Sequence, residues 1–516
     1  MNASTPPPSG GIRYASPRGR WVLAATILGS AIASIDATVV GIALPAIGRD
    51  FDTGLSTLQW VVTAYTLTLA GLLLIAGALG DRYGRRRVFL IGVIWFALAS
   101  ALCGLAPGSD TLIAARALQG VGAALLTPGS LAILQASFAP SDRSQAIGAW
   151  SGFGGIATAI GPFIGGWFVQ AVSWRLIFFI NLPIAVAVVL VAMRHVPESH
   201  DVEATGRIDT TGGVLVTLGL IGLTYGLIEG PSSGWGSAPV ILALVLGVLM
   251  LVAFGRWEGR AEHPMLPLAV FRSRQFTATN LVTFIVYGAL GGALFLLPIQ
   301  LQQVSGYTAL EAGISLLPVT AIMLVLSARS GALASRIGPR LQMTVGPLIV
   351  GAGMALFARI DAGGSYLTEV LPAVVVFGLG LAITVAPLTS TALGALSSRR
   401  SGLASAINND VARAAGLIAV AVLPAAAGIT GAAYLHPDEF SSGFQTAVLI
   451  AAGLCVVGGV LAALTIRNPR PEERPEPIPA EEHALHCGLD APPPLLVSMG
   501  GPPDEEGSST PPADRP

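Results

Sequence analysis

The ten residues Gly77-Ala-Leu-Gly-Asp-Arg-Tyr-Gly-Arg-Arg86 return in altered form as Gly331-Ala-Leu-Ala-Ser-Arg-Ile-Gly-Pro-Arg340. Six of the ten positions are identical, and both copies follow a long apolar run. An internal repeat of this kind indicates two homologous halves. The second copy has Ser335 where the first has Asp81, so we expect the halves to differ in function.

The composition places most of the chain in a membrane. Of the 516 residues, 53% are hydrophobic and 11% are charged, whereas soluble domains carry about 25% charged residues. We find fourteen apolar runs of roughly the 20 residues that a helix needs to cross the hydrocarbon layer. With the repeat, this predicts an all-α membrane bundle of fourteen transmembrane helices, made of two six-helix halves plus two inserted helices.

Arginine placement predicts the orientation of this bundle. With the N-terminus inside, the cytoplasmic segments hold 22 of the 28 Arg and the outer segments hold three. Cytoplasmic loops carry such an excess, so we expect both termini in the cytoplasm and a multi-pass protein of the plasma (inner) membrane. The predicted segments are a cytoplasmic N-terminal tail (1–20) that is expected to be disordered up to Arg18, a six-helix half (21–193), two inserted helices (209–256), a cytoplasmic loop (257–275), a second six-helix half (276–466) and a Pro-rich, acidic, disordered cytoplasmic tail (467–516).

Several function classes lack the residues they need. All 28 basic residues are Arg, so the chain has no lysine for a Walker A loop or a Schiff base. Cys103, Cys455 and Cys487 fit no metal spacing and no disulfide framework. The net charge of −1 gives no basic surface for nucleic acid. We therefore expect no enzyme, cofactor, metal, nucleotide or nucleic acid, and a transport function would draw on an ion gradient.

The first repeat copy has a carboxylate inside an arginine cluster. A carboxylate among guanidinium groups can latch two helix ends in one conformation and release them in another. The alternative is an arginine cluster that only sets orientation. The residues of this predicted conformational latch are Gly77, Asp81, Arg82, Gly84, Arg85 and Arg86.

Two charges lie inside apolar runs of the first half. Intramembrane charges are costly and mark ion or substrate paths. Asp36, in the first run, is a candidate proton carrier. Arg116, in the fourth run, cannot deprotonate but can tune a neighbouring acid. The alternatives are a structural hydrogen-bonding role for Asp36 and an Arg116 side chain that reaches the outer headgroups.

The second half carries Asp410 and Arg413 at i and i+3 of the thirteenth run. They form either a self-neutralising pair or a second polar site beside Asn408. A large apolar cavity with a few polar groups would accept small amphipathic substrates. Ordinary packing is the alternative for each candidate. The cavity candidates are Trp60, Tyr65, Gln119, Asn181, Gln300, Asn408, Asp410 and Arg413.

These motifs resemble those of a known family. The pattern Gly-x-Leu-x-Asp-Arg-x-Gly-Arg-Arg resembles the signature loop of the major facilitator superfamily. Arg116-Ala-Leu-Gln119-Gly120 is similar to its fourth-helix motif, and Gly161-Pro162-Phe-Ile-Gly165-Gly166 to its fifth-helix antiporter motif. Asp36-Ala-Thr38 through Pro45 resembles the first-helix signature of the fourteen-helix drug:proton antiporters, the EmrB/QacA-like branch. Gly41 departs from that branch, which usually has Asn there.

The resemblance covers roughly residues 20–466 and implies a function. It implies a proton-coupled efflux antiporter that exports hydrophobic or amphipathic small molecules, such as drugs, through the lipid bilayer. Proton coupling would fall on Asp36 and Arg116. The alternatives are an exporter of an endogenous lipid, siderophore or secondary metabolite, and a non-transporting membrane sensor.

Overall fold

The computed structural model describes residues 11–200, 208–397, 400–430, 434 and 436–468. Within these ranges, fourteen spans are long and apolar enough to cross a membrane, which confirms the predicted fold class. The sixth span is broken into α6 and α7 at Ile180, and the tenth into α11 and α12 at Leu316. In chain order the helices are α1 (Pro17–Phe51), α2 (Leu55–Tyr83), α3 (Arg85–Leu105), α4 (Ser109–Ser137), α5 (Arg143–Ala171), α6 (Leu176–Phe179), α7 (Asn181–His195), α8 (Thr210–Ser233), α9 (Ala238–Glu258), α10 (Arg274–Ile299), α11 (Ala309–Ser315), α12 (Leu317–Ile337), α13 (Pro339–Phe357), α14 (Leu371–Gly394), α15 (Ser401–Ala426) and α16 (Pro437–Thr465).

The two repeat loops share one backbone geometry. Gly84, between α2 and α3, has φ +109°, and its counterpart Gly338, between α12 and α13, has φ +87°. Only glycine adopts such angles readily, which explains why both copies keep it. The sequence repeat therefore corresponds to a structural repeat.

The same helix pairings occur in both halves. In the first half α4 packs on α2 and α3, and α1 packs on α5 and α7. In the second half α14 packs on α12 and α13, and α10 packs on α15 and α16. Helix α1 thus corresponds to α10, α2 to α11 with α12, α3 to α13, α4 to α14, α5 to α15, and α6 with α7 to α16.

The inserted helices α8 and α9 form a hairpin on one side of the bundle. Helix α8 packs along α2. The Thr217 hydroxyl of α8 lies 3.2 Å from the carbonyl oxygen of Gly71 in α2 and can donate to it. Leu220 of α8 is buried with Leu67 of α2 and Leu417 of α15. Helix α8 therefore contacts both halves, whereas α9 packs on α8 and leaves most of its apolar side chains exposed.

The halves pack closely at one end of the bundle. We call the end that holds both repeat loops the basic end and the opposite one the distal end. Near the distal end, the Gln59 side chain of α2 donates to the carbonyl of Val420 at 2.6 Å. Gln302 donates to the carbonyl of Ile42 at 3.0 Å. These bonds join the first half to the second.

Helix α5 shows that the halves separate toward the basic end. Near the distal end of α5, a Cβ on Gly166 would lie 2.5 Å from the carbonyl oxygen of Ala309 in the second half. Gly155 and Gly148 lie two and four turns from Pro162 in the direction of the basic end. A Cβ at either position would have no atom within 4 Å. The seam between α5 and the second half is therefore closed distally and open toward the basic end.

The N-terminal segment differs from the prediction of a disordered tail. The backbone of Ile12 bonds to those of Ser137 and Ala139, and the Tyr14 N–H donates to the Asp142 carboxylate. That bond holds the pKa of Asp142 below its usual value. Backbone pairing with the α4–α5 loop and packing of Ile12 and Tyr14 against the core of the first half order residues 11–16. Residues 1–10 and 469–516, also predicted to be disordered, lie outside the described ranges.

Candidate functional site

Asp36 and Arg116 meet in the interior of the first half. Each is 1% exposed, and Arg116 Nη1 donates to Asp36 Oδ2 at 2.5 Å. Asp36 comes from the middle of α1, and Arg116 from α4. A buried charge is tolerated when it is paired and hydrogen-bonded, as both groups are here. Arg116 therefore turns into the bundle and does not reach toward headgroups.

Two amides complete the surroundings of the Asp36 carboxylate. Gln119 Nε2 donates to Asp36 Oδ1 at 2.8 Å, and Asn181 Nδ2 approaches the same oxygen at 3.4 Å. Gln119 follows Arg116 by three residues, so both project from one face of α4. The Gln119 amide oxygen accepts from Arg116 at 2.6 Å.

Arg116 makes two further contacts, one through Nε and one through the face of its guanidinium. Its Nε donates to the carbonyl of Val61 at 3.1 Å, and its plane lies 4.3 Å from the centroid of the Tyr65 ring. A cation over an aromatic face gains electrostatic stabilisation, more so when desolvated. Tyr65, Gln119 and Asn181, predicted as cavity residues, thus belong to the closed Asp36 network in this conformation.

Sequence reasoning did not identify Ser100 and undervalued Cys103. The Ser100 hydroxyl accepts from Gln119 at 3.2 Å and from Asn181 at 3.0 Å. Cys103, one turn further along α3, lies 3.5 Å from the Gln119 amide oxygen. Their spacing of three within an apolar run was the available signal, since it places both on one helix face.

The charged residues of the predicted second site, Asp410 and Arg413, are not paired with each other as Asp36 and Arg116 are. Asp410 and Arg413 form no ion pair within 4.0 Å in the described structure, so their helical spacing does not produce a direct contact. Asp410 Oδ1 and Arg413 Nε are buried without hydrogen-bond partners. Asn408 projects from another face of α15 and donates to Asn280 and Thr283 of α10.

Carboxylate groups hold the first repeat loop in place, one within the α2–α3 connection and one from the segment after α7. Arg85 donates to Asp81 at 2.8 Å, which joins the end of α2 to the start of α3. Glu198, from the segment after α7, accepts from the backbone N–H groups of Arg86 and Arg87. Sequence reasoning missed Glu198, because a carboxylate in a loop gives no signal of its partner. Arg82 lies 5.6 Å from the Tyr83 ring centroid.

The second repeat loop has the same arrangement with neutral groups. Asn468, after α16, accepts from the backbone N–H of Arg340 at 3.1 Å, as Glu198 does in the first half. The Ser335 hydroxyl bonds only within its own helix, to Ala332. The counterpart of the Asp81 ion pair is therefore replaced by a local bond.

The predicted antiporter-motif helix is close-packed. Gly161 and Gly165 face Thr38 and Val39 of α1, with no room for a Cβ. Gly166 and Pro162 face α11 of the second half. The motif glycines thus allow α5 to pack closely on α1 of its own half and on α11 of the other. In the predicted latch, which is a separate region, Gly77 of α2 lies near Pro128 of α4.

Two further cavity candidates have structural partners. Trp60 Nε1 donates to Glu229 of α8 at 2.9 Å and so fastens the inserted hairpin to α2. Gln300 is fully buried and donates to the carbonyl of Ile360 at 3.0 Å and to Ser441.

A duplicated helical bundle with a carboxylate paired in its interior and separated halves at one end defines a membrane transport protein. The family model described as Major Facilitator Superfamily matches residues 26–421. The chain belongs to the major facilitator superfamily.

Several relatives are named as resistance or export proteins. The chain is 35% identical to a puromycin resistance protein of Streptomyces alboniger, over 90% of this chain and 94% of that protein. It is 36% identical to a tetracenomycin C resistance and export protein of Streptomyces glaucescens, over 79% and 76% of the two chains. It is also 36% identical to a Mycobacterium tuberculosis multidrug resistance protein, over 90% and 80%.

Solved structures share the fold at low identity. A bacterial homologue of the lysosomal transporter Spinster superposes with a TM-score of 0.61 at 17% identity, covering 87% of this chain and 97% of that one. A peptide transporter in complex with sulfate gives 0.64 at 13% identity, covering 88% and 96%. These likenesses concern the helical architecture.

Proposed function

We propose that the chain is a proton-driven exporter of hydrophobic or amphipathic small molecules in the plasma (inner) membrane. The observation that carries the proposal is the Asp36–Arg116 pair, a carboxylate and a fixed cation buried at 1% exposure inside a transporter fold. The names of the resistance and export relatives support small-molecule efflux as the output.

The pair couples proton movement to the reorientation of the halves. Protonation of Asp36 from the outer side removes its charge and weakens its attraction to Arg116, which favours reorientation. Return of the charge to Asp36 restores the pair, and the proton leaves toward the cytoplasm. The conformation described above, open at the basic end with Asp36 hydrogen-bonded to Arg116, fits the state after proton release.

One proton supplies enough free energy for useful export. At about 100 mV, the inward movement of one charge yields ~2.3 kcal/mol. That free energy sustains a substrate gradient of about fifty-fold for an uncharged compound.

Vesicle transport tests the proposal. Reconstituted protein is given an imposed proton gradient, and accumulation of rhodamine 6G and of puromycin is measured. We expect wild-type protein to concentrate at least one compound when the gradient is present and neither when it is collapsed. Equal accumulation with and without the proton gradient would contradict proton coupling. Absence of transport of both compounds would contradict the export of amphipathic molecules.

The arginine-rich basic end is proposed to face the cytoplasm. Reporter fusions after Glu258 and after Pro437 test this orientation. The first should report the cytoplasm and the second the outer side, because helix α9 ends at the basic end and α16 begins at the distal end. The reverse pattern would invert the mechanism above.

Export of a secondary metabolite is the second candidate. Relatives named as a tetracenomycin C export protein and as a probable actinorhodin transporter favour it. Comparing metabolites released by cells that lack and that overproduce the protein distinguishes the candidates. A single compound retained by the deficient cells indicates a dedicated exporter, whereas broad drug sensitivity indicates multidrug efflux.

A further inference from the structure

The Asp36 network contains one polar atom that has no partner. Asn181 is fully buried, and its amide nitrogen approaches Asp36 and Ser100, yet its amide oxygen Oδ1 accepts no hydrogen bond. A buried acceptor left unpaired costs free energy and calls for an explanation. The orphan atom lies on the residue that begins α7, directly after the break of the sixth span.

Protonation of Asp36 changes what its surroundings must provide. Asp36 Oδ1 now accepts from N–H groups of Gln119 and Asn181. Once it carries a proton, Oδ1 must donate, and an amide N–H cannot accept. The Gln119 oxygen already accepts from Arg116 and lies near Cys103. The free acceptor next to Asp36 is therefore Asn181 Oδ1.

We propose that the side-chain amide of Asn181 is a switch. It turns over when Asp36 becomes protonated, and its bond to Ser100 links this turn to the packing of the sixth span. A half-turn of the amide places Oδ1 where Nδ2 now lies, in reach of the new Asp36 hydroxyl. A hydronium ion delivers the proton: its O–H bond breaks as the O–H bond on Asp36 forms, a water molecule is left, and no other covalent bond changes. The proposal rests on Asp36 as the proton carrier.

Ser100 carries the change onward. Its hydroxyl is saturated in the present state, because it accepts from Gln119 and Asn181 and donates to the carbonyl of Phe178 at 2.8 Å. When the Asn181 amide turns, its nitrogen leaves Ser100. This removes the bond between α3 and the start of α7 and leaves the bond to Phe178 on the other side of the break. The α6–α7 junction is thereby loosened in the protonated state alone.

The switch operates among few other charges. The titratable or charged groups that face it within the described network are Asp36 from α1, Tyr65 from α2, Cys103 from α3 and Arg116 from α4. Arg413 of α15 adds a charge on the side of Tyr65. Helices α6 and α7 contribute carbonyl, aromatic and amide groups there, which carry no charge.

Spectroscopy of the full chain in lipid nanodiscs tests the switch without any substrate. The infrared carboxyl band that disappears in Asp36→Asn reports protonation of Asp36. With ¹⁵N-labelled asparagine, the side-chain resonance that disappears in Asn181→Leu reports the amide. We expect the amide resonance to shift with the same pH midpoint as the carboxyl band, and to lose its pH dependence in Asp36→Asn.

Two outcomes would overturn the proposal in distinguishable ways. A carboxyl band that titrates while the Asn181 resonance stays fixed removes the switch and leaves the proton carrier intact. A carboxyl band that never titrates removes Asp36 as carrier, and the proposed function fails with it.

A transport assay separates coupling from structure. Ser100→Ala should slow proton-driven accumulation of rhodamine 6G about tenfold, as loss of one buried hydrogen bond predicts. Exchange of labelled for unlabelled dye without a gradient should fall much less than accumulation does. Ser130→Ala, which removes another fully buried serine hydroxyl whose bond stays within α4, is the matched control and should change neither rate. An equal fall of both rates in Ser100→Ala would make the residue structural and contradict the switch.

Discussion

The two halves share one backbone arrangement, but in the described part of the chain their buried charged side chains are paired in the first half and lack direct partners in the second. In the first half Asp36 and Arg116 are paired and enclosed, and the loop is held by Asp81, Arg85 and Glu198. In the second half Asp410 and Arg413 have buried atoms without partners, and the corresponding loop uses neutral groups. A paired buried charge is stable until its protonation changes, whereas an unpaired one is available to a ligand. From this comparison we propose that the first half couples protons and that the second half contacts substrate.

The largest effect is expected from breaking the pair through Arg116. Arg116→Ala leaves the Asp36 carboxylate buried without its cation, which typically costs about 3–5 kcal/mol. We expect proton-driven efflux to be lost and the thermal unfolding temperature to fall. Arg116→Lys should recover part of both, since it restores the charge but not the bond to Val61. Full activity of Arg116→Ala would remove the first half as the coupling site.

A smaller and different effect is expected in the second half. Asp410→Asn removes a charge that has no direct partner, so stability should change little. Efflux of cationic dyes such as rhodamine 6G should fall several-fold, while efflux of uncharged substrates is retained. Dose–response curves for the two classes measure this difference. An equal loss for both classes would indicate a coupling role for Asp410 and would blur the contrast between the halves.

The smallest effect concerns the loops. Asp81→Asn should slow transport up to about tenfold while leaving membrane insertion intact, because Arg85 loses a charge-assisted bond. Ser335→Ala, at the equivalent position, should leave transport near wild type because its hydroxyl bonds only within α12. Initial efflux rates, normalised to the amount of inserted protein, measure both. Matching near-normal rates would leave the arginine cluster with a role in orientation only.

The sequence predicted the scaffold better than the contacts. Fourteen spans and the repeat followed from hydropathy and from ten residues, because a bilayer constrains helix length strongly. The sequence also singled out Asp36 and Arg116 as the two charges inside apolar runs of the first half, and the structure pairs them. For Ser100 the sequence offered only its spacing of three from Cys103, which gives a shared helix face but no partner. The partners of Glu198 and Trp60 were not predictable, since a loop carboxylate and a membrane tryptophan have no periodic signature. Their partners depend on how helices distant in sequence pack.

The central claim is that Asp36 carries the proton, and one comparison in vesicles tests it directly. Asp36→Asn resembles the protonated form and cannot cycle, so it should fail to concentrate rhodamine 6G against its gradient under an imposed proton gradient. The same variant should still exchange labelled for unlabelled dye without a gradient, because substrate binding does not require the charge. Accumulation by Asp36→Asn at the wild-type rate would contradict the account and make Asp36 structural.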